Sequence, residues 1–328
     1  MDRWRRWPGD AWWVNVRLQA IAEKQGGVFS RSQALTSGCS ADQIFRHLKD
    51  GRWVRIRRGQ YAETVDLSAL PTWERVRWKH RQEIHAAMNS LRSGSVAVSH
   101  QSSLVLHDLP VWGLGLDRVH VSRLDGLAGG VVAGVQHHVA KPAQDDLTVV
   151  AGRLATSASR AAVESACTAS FEQAVVNIDA ALRADNLGED GVRRLLELIE
   201  FWPGSTTARA ALRFGTKLSE SVGESRLRVF LREHGFPEPV LQVEFYDSHG
   251  LIGRVDFYFP AYNLVVEFDG LLKYGGGSPE VLIQEKRRED RLRARGLAVV
   301  RTDWADLDRP LVLATTLRQA FAQAGKAA

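Results

Sequence analysis

A pair of short helical segments near the amino end constrains this chain most. Each begins at a serine that can cap a helix and stops at a glycine, from Ser30 to Gly38 and from Ser40 to Gly51. A serine hydroxyl accepts hydrogen bonds from the free N–H groups at a helix start, and glycine ends a helix because it tolerates the left-handed conformation. An amphipathic pattern over residues 13–25 precedes the pair. The segment therefore predicts three helices, the last two joined by a tight turn.

The second helix of this turn separates apolar from polar residues. The side chains expected to pack inward are those of Ile44, Phe45 and Leu48. Those expected to face outward are Gln43, Arg46, His47 and Lys49. A polar face of this kind suits a helix that enters the DNA major groove.

A basic hairpin follows the two helices. The stretch WVRIRRGQYA, residues 53–62, alternates apolar and basic side chains around Gly59. The alternation predicts two strands with arginines on their outer face. Helices followed by such a hairpin predict a winged helix, in which Arg55, Arg57 and Arg58 of the wing contact the DNA backbone. The alternative is a small helical domain that docks a partner protein.

Positive charge is concentrated in the same region. Residues 1–58 hold 12 Lys or Arg and 5 Asp or Glu, a balance of +7, whereas the whole chain carries +5. The rest of the chain therefore balances to −2, with 31 Lys or Arg against 33 Asp or Glu. A basic segment of this kind is typical of a surface that meets phosphate, although a merely solvated basic face is the alternative.

Length and composition indicate a multidomain protein of ordinary globular type. The 328 residues are 45% hydrophobic and 25% charged, and no apolar run approaches the ~20 residues that span a bilayer. The basic start has no hydrophobic core or cleavage site of a signal peptide, and Cys39 and Cys167 lack metal-type spacing. We expect a cytoplasmic protein with no membrane partner. The chain has no GxxxxGK[ST] loop, so no nucleotide cofactor is expected.

The pattern divides the chain into three predicted segments of an α/β, multidomain (α+β) protein. These are a winged helix over 1–66, an α/β middle domain over 67–205 and a mixed sheet flanked by helices over 206–328. In the middle domain Ser99-His100 and His137-His138 invite catalytic interpretations. A serine that caps a helix is the commoner case, and adjacent residues of a strand point to opposite faces, so we assign no chemistry to them.

Two strands of the third segment carry acids among apolar residues. Glu267 and Asp269 in VVEFDG lie two apart and share a face of their strand, and the preceding strand, joined by a short connection, supplies Asp256. Burying unpaired charge is costly, and carboxylate oxygens are what Mg²⁺ or Mn²⁺ prefers. The three acids therefore predict a divalent-metal site able to support phosphodiester hydrolysis. Surface carboxylates on a half-exposed sheet are the alternative.

Residues 216–304 resemble the very-short-patch-repair-like (Vsr-like) endonuclease domains of the PD-(D/E)XK superfamily, a restriction-endonuclease-like fold. The motifs that carry this resemblance are GESRLRVFLREHGFPEPVLQ, GRVDFYFP, VVEFDGLLKY, EKRREDRLRARG and VVR. The resemblance implies that Asp256 and Glu267 bind metal and that Glu224 completes the site, although Ser221 and Glu224 also form a capping-box pattern. The family's lysine position holds Asp269, so the resemblance leaves Lys273 or Lys286 to supply the catalytic positive charge.

Residues 15–165 resemble the AbiEi-type winged-helix antitoxins, most clearly over the first 65. The motifs are GVFSRSQALTSG, DGRWVRIRRGQYA and VAVSHQSSLVLHDLP. This resemblance implies binding to double-stranded operator DNA and a cognate toxin partner. We therefore expect a DNA-binding protein whose carboxyl-terminal domain is a metal-dependent endonuclease. The alternative is a transcriptional regulator or antitoxin-like protein whose nuclease fold only binds.

Overall fold

The structure is a computed structural model that describes residues 15–270 and 279–327. The described residues form two compact units that divide between Ser165 and Ala166. Each unit contains helices together with a sheet that has both parallel and antiparallel strands, which confirms the predicted α/β class. The division into three segments stays a prediction. In the described part of the chain, no helix is long and apolar enough to cross a membrane.

The first unit begins with a winged helix, as the sequence predicts. Its elements are α1 (Val16–Glu23), β1 (Val28–Ser30), α2 (Arg31–Thr36), α3 (Ala41–Lys49), β2 (Trp53–Arg57) and β3 (Gln60–Glu63). Both predicted serine caps are present. The Ser30 and Ser40 hydroxyls each accept a hydrogen bond from the backbone N–H three residues on, at 3.1 Å. The strands form an antiparallel sheet in the order β1-β3-β2, so the β2–β3 hairpin is the wing.

The winged helix has a small aromatic core that fixes α3 against the wing. Phe29 and Trp53 pack edge to face, with ring centroids 4.7 Å apart, and Ile44 is buried among them. Phe45 is 66% exposed, so its predicted inward position was wrong. Successive residues of a helix are rotated by about 100°, and α3 buries only the narrow stripe that contains Ile44 and the partly buried Leu48.

A six-stranded sheet completes the first unit. Its strand order is β6-β7-β5-β4-β9-β8, and β5 pairs with β7 in parallel. The elements after the wing are α4 (Thr72–Ser90), β4 (Val96–Val98), α5 (His100–Leu106), β5 (Val119–Arg123), β6 (Gly130–Val132), β7 (Val135–Val139), β8 (Leu147–Val150), β9 (Arg153–Thr156) and α6 (Ala158–Ala166).

The second unit has four helices followed by a four-stranded sheet. Its elements are α7 (Phe171–Ala184), α8 (Glu189–Leu198), α9 (Ser205–Phe214), α10 (Val222–Glu233), β10 (Val240–Asp247), β11 (Gly250–Phe259), β12 (Leu264–Phe268), α11 (Pro279–Ala294), β13 (Ala298–Thr302), α12 (Trp304–Leu307) and α13 (Pro310–Ala327). The strand order is β10-β11-β12-β13, with only the β12–β13 pair parallel. This is the predicted mixed sheet, with α11 as its crossover helix.

A buried ion pair joins α7 to α10 within this unit. The Asp179 carboxylate accepts hydrogen bonds from Arg228 Nη1 and from the Ser225 hydroxyl, both at 2.7 Å, and from the backbone N–H of Thr216 at 2.8 Å. Burial raises the pKa of Asp179, and the Arg228 charge opposes that rise. These contacts connect α7, which precedes the predicted boundary at residue 206, to the helix that leads into the sheet.

Candidate nucleic-acid interface and acidic pocket

The exposed face of α3 presents a mixed set of side chains at helical spacing. Asp42, Phe45, Arg46 and Lys49 occupy positions i, i+3, i+4 and i+7, so they lie on one side of the helix, and all four are exposed. Phe45 is a candidate contact residue that the sequence interpretation missed, because its apolar side chain was assigned to the core. An exposed aromatic beside two cations can contact bases and phosphates together.

The predicted base-reading residue Gln43 has another partner in this structure. Its side-chain oxygen accepts a hydrogen bond from the backbone N–H of Ser40 at 2.7 Å, while the backbone N–H of Gln43 donates to the Ser40 hydroxyl. The two bonds form a capping box that satisfies the start of α3. A direct contact between Gln43 and a base stays a prediction. A contact through its side-chain oxygen would compete with this cap.

The three wing arginines have different surroundings. Arg55 and Arg58 are exposed on the hairpin, whose turn uses Gly59 at a φ of +73°. Arg57 instead donates a hydrogen bond from Nη2 to the backbone oxygen of Ala133 at 2.8 Å. Burial lowers the pKa of Arg57, and the charge of Glu83 opposes that effect. Arg55 and Arg58 are therefore the wing cations that solvent, or a phosphate, reaches most directly.

An acidic pocket forms where α10 meets β11 in the second unit. Gln242 Nε2 donates to Glu224 Oε2 at 3.0 Å and reaches Asp256 Oδ1 at 3.4 Å. Asp256 Oδ2 in turn accepts from the backbone N–H of Phe268 at 2.9 Å, next to Glu267 on β12. Helix α10 and strand β11 thus bring two of the predicted ligands, Glu224 and Asp256, together, with Gln242 between them.

Burial and mutual repulsion act on the acids of this pocket. Desolvation raises the pKa of Asp256, and the nearby negative charge of Glu267 raises it further. Desolvation also raises the pKa of Glu224, to which the charge of Asp256 contributes. Each carboxylate is therefore harder to ionise here than in water, and a cation in the pocket would relieve the repulsion.

A glycine allows α10 to approach the sheet closely enough to form this pocket. A Cβ atom at Gly223 would lie 1.9 Å from Phe268 Cε1, which no side chain could occupy without displacing the ring. Glu224 follows at the start of α10, where its backbone N–H donates to the Ser221 hydroxyl at 3.1 Å and its carboxylate accepts from the Glu220 N–H at 2.9 Å. The Ser221 hydroxyl therefore caps α10, and the Glu224 carboxylate binds the residue before that cap and lines the pocket.

The acids of β12 are paired with arginines. Arg288 of α11 donates to both oxygens of Glu267, from Nη2 to Oε1 at 2.5 Å and from Nη1 to Oε2 at 3.2 Å. Arg301 of β13 lies 3.7 Å from Glu267 and 3.7 Å from Asp269, and it bonds Glu285 at 2.6 Å. Sequence reasoning missed both arginines, which neutralise the acids where a metal was predicted.

The two candidate lysines differ in what can be said of them. Lys286 is exposed on α11, two residues before Arg288. Lys273 lies outside the residues that the structure describes. The four predicted metal ligands also fall into two groups. Glu224 and Asp256 offer carboxylate oxygens of the kind that hard divalent ions prefer, whereas Glu267 and Asp269 lie beside guanidinium groups.

Comparison with known protein families gives a match to the winged helix of the first unit. Residues 16–64 match the family model described as "Transcriptional regulator, AbiEi antitoxin". The matched range is the winged helix and includes the α3 face and the wing arginines.

Two curated relatives come from Mycobacterium tuberculosis, the uncharacterized proteins MT2308 of strain CDC 1551 and Rv2248 of strain H37Rv. Each is 31% identical over 151 residues, which is 46% of this chain and 55% of the relative. The chain thus spans about half the length of the curated relatives it matches. A solved structure, the RV2827C protein of the same species, aligns with a TM-score of 0.39 and 13% identity, covering 74% of this chain and 91% of the other.

Proposed function

We propose that this protein is a DNA-binding transcriptional regulator that reads duplex DNA with its winged helix. The observation that carries the proposal is that the family match and the winged helix cover the same residues. The residues that match the transcriptional-regulator family fold as a winged helix whose α3 face and wing present exposed cations. The excess positive charge of the chain lies in the same region.

The roles of individual residues follow from the surroundings of each side chain. Arg46 can donate two hydrogen bonds to a guanine edge, and Phe45 can pack against a thymine methyl group, so these two are proposed to read bases. Lys49, Arg55 and Arg58 are proposed to bind phosphates, which position the protein but carry no sequence information. Arg57 is proposed to support the wing through Ala133 instead.

A pair of alanine substitutions separates base reading from phosphate binding. We expect Phe45→Ala and Arg46→Ala each to reduce the preference for a specific over a random duplex. For Arg46 the difference in binding free energy between the two duplexes should fall by roughly 1–3 kcal/mol if it makes a bidentate base contact. Binding to random duplex should change less. Fluorescence anisotropy with both duplexes measures this preference, and Arg193→Ala, an exposed arginine of the second unit, is the matched control. Equal losses on both duplexes would show that α3 contacts only the backbone.

We propose a cognate toxin protein as a second partner. The support is the antitoxin description of the family that matches the winged helix. The match covers residues 16–64, so the surface that would meet a toxin is not assigned.

A second candidate function is a divalent-metal-dependent endonuclease of the Vsr-like type. It is supported by the juxtaposition of Glu224 and Asp256 around Gln242, with the charge of Glu267 close enough to raise the pKa of Asp256. We propose that Mg²⁺ or Mn²⁺ would be held by Glu224 and Asp256, with Glu267 or Asp269 joining only when the arginines release them. The ion would supply charge stabilisation at a phosphate. The positive charge expected of Lys273 or Lys286 belongs to this candidate function.

This candidate is tested by metal-dependent stabilisation and cleavage. We expect millimolar Mg²⁺ to raise the melting temperature of the full chain, because it relieves repulsion between acids whose pKa values burial already raises. Asp256→Asn and Glu224→Gln should abolish that rise and any cleavage of plasmid DNA, whereas Glu238→Gln, an exposed acid nearby in sequence, should not. If Mg²⁺ neither stabilises the wild type nor supports cleavage of DNA, the endonuclease candidate is wrong, and the second unit is better described as a non-catalytic binding module.

A further inference from the structure

Three histidines from separate elements of the first unit meet at one place. His100 stands at the start of α5, His120 lies on β5 and His138 lies on β7. One ligand atom from each lies within 4.8 Å of the others. The rings of His100 and His138 stack with centroids 3.7 Å apart, and His120 Nδ1 lies 2.9 Å from His138 Nε2. In the described ranges, this is the one group of His, Cys, Asp or Glu side chains so arranged.

The fold brings these residues together from distant parts of the sequence. Strands β5 and β7 pair in parallel with Ser122 opposite His138, so His120, two residues before Ser122, shares a face with His138. His100 reaches the same face from the end of β4, which pairs with the other edge of β5. Its φ of +52° is a left-handed conformation that non-glycine residues seldom adopt and that concentrates at functional sites.

A buried carboxylate and a serine hydroxyl lie behind the first of these rings. Glu164 Oε2 accepts a hydrogen bond from the backbone N–H of His100 at 3.2 Å and lies 3.6 Å from its Nδ1. Arg160 Nε donates to the other oxygen of Glu164 at 2.9 Å, and the Ser99 hydroxyl lies 3.0 Å from His100 Nδ1. An oriented carboxylate behind a histidine is the usual outer partner of a metal-bound imidazole. This arrangement leaves Nε2 of His100 for a ligand.

Burial lowers the pKa of all three histidines. Desolvation, with the neighbouring rings, lowers the pKa of His100 well below its ordinary value, and it lowers the pKa of His120 and of His138 to about 4. A neutral imidazole has a lone pair free for coordination, which a protonated ring lacks. The hydrogen bond between His120 Nδ1 and His138 Nε2 needs one proton, carried by either ring, and a cation could replace that proton. Gln101, 2.9 Å from His120 Nε2, would then turn its amide oxygen toward that nitrogen.

We propose that His100, His120 and His138 form a binding site for a divalent transition-metal ion of the zinc class. Imidazole nitrogen suits Zn²⁺, Co²⁺, Ni²⁺ and Cu²⁺, whereas Mg²⁺ prefers oxygen, so this site differs in chemistry from the acidic pocket of the second unit. Three protein ligands leave one tetrahedral position for water or another small ligand. The rings are partly exposed, which gives the ion a route from solvent.

Cobalt substitution tests the proposal directly on the full chain. Co²⁺ bound by three histidines in a near-tetrahedral site gives intense visible absorption that Zn²⁺ displaces. We expect one equivalent per chain, lost in His120→Gln and in His138→Ala. Glu164→Gln should retain the site with affinity weaker by about 10- to 100-fold, because it removes an outer partner and no ligand. Circular dichroism of each variant separates loss of metal from loss of fold.

Two controls make the outcome decisive. His249→Ala removes an exposed histidine of the second unit and should leave the cobalt spectrum unchanged. Asp256→Asn should also leave it unchanged, so the result does not depend on the nuclease candidate. The proposal is overturned if the wild type binds no Co²⁺ or Zn²⁺ at micromolar concentrations. It is equally overturned if the two histidine variants bind as the wild type does, because binding would then be adventitious.

Discussion

Replacing Arg55 and Arg58 by alanine is expected to weaken binding of the full chain to every duplex and to make it less sensitive to salt. Both side chains are exposed on the wing. A cation that neutralises a phosphate releases a counterion, and each lost contact reduces the slope of log K against log salt by about one unit. The double variant should therefore lose about two units of slope, measured by anisotropy titrations at several NaCl concentrations.

Arg57→Ala is the control for this prediction. Its guanidinium bonds Ala133 and is partly buried, so its removal should change the slope less than removal of Arg55 or Arg58. From the sequence alone, all three arginines were predicted to contact the DNA backbone. A wild-type affinity independent of salt would instead indicate that the basic surface docks a protein.

The second large effect is expected from Arg288→Ala in the second unit. Glu267 is 7% exposed, and Arg288 satisfies both of its oxygens. Removing one partner of a buried ion pair leaves a charge without compensation and costs about 3 kcal/mol. Arg301 remains 3.7 Å from Glu267 and reduces the loss. Urea unfolding measures the free energy, and Arg287→Ala, its exposed neighbour, should change it little.

The same variant distinguishes the two interpretations of the acidic pocket. If the pocket binds a divalent ion, Mg²⁺ should restore part of the stability that Arg288→Ala loses, because the freed Glu267 becomes a ligand. If Mg²⁺ has no effect on the variant, the paired acids serve only the packing of α11 on the sheet. An unchanged free energy of unfolding in Arg288→Ala would contradict the assignment of this ion pair as structural.

The winged helix was largely readable from the sequence because its signals are local. The serine caps, the glycine stops and the alternating hairpin each act within a few residues. The error at Phe45 concerned how much of the α3 surface is buried. That depends on which other elements pack against the helix. Ile44 and Leu48 face the core four residues apart, while Phe45 lies on the uncovered side. The helical period alone does not decide this.

The sites were less readable because they join distant residues. The short connection between two strands predicted that Asp256 and Glu267 lie on adjacent strands, but it did not reveal the arginines that reach Glu267 from α11 and β13. Gly253 leaves room for Arg288, since a Cβ atom at that position would lie 2.4 Å from Arg288 Nε. The three histidines of the first unit have no metal-type spacing in sequence, and it is the pairing of β5 with both β7 and β4 that brings them together.

Selection from a pool of random duplexes tests the central claim most directly. The full chain is mixed with the pool at near-physiological salt, and the bound DNA is sequenced over successive rounds. We expect enrichment of one defined sequence by the wild type and by Arg193→Ala, and loss of that enrichment when both Phe45 and Arg46 are replaced by alanine. Retention of duplex without enrichment of any sequence by the wild type would contradict the assignment of a sequence-reading regulator.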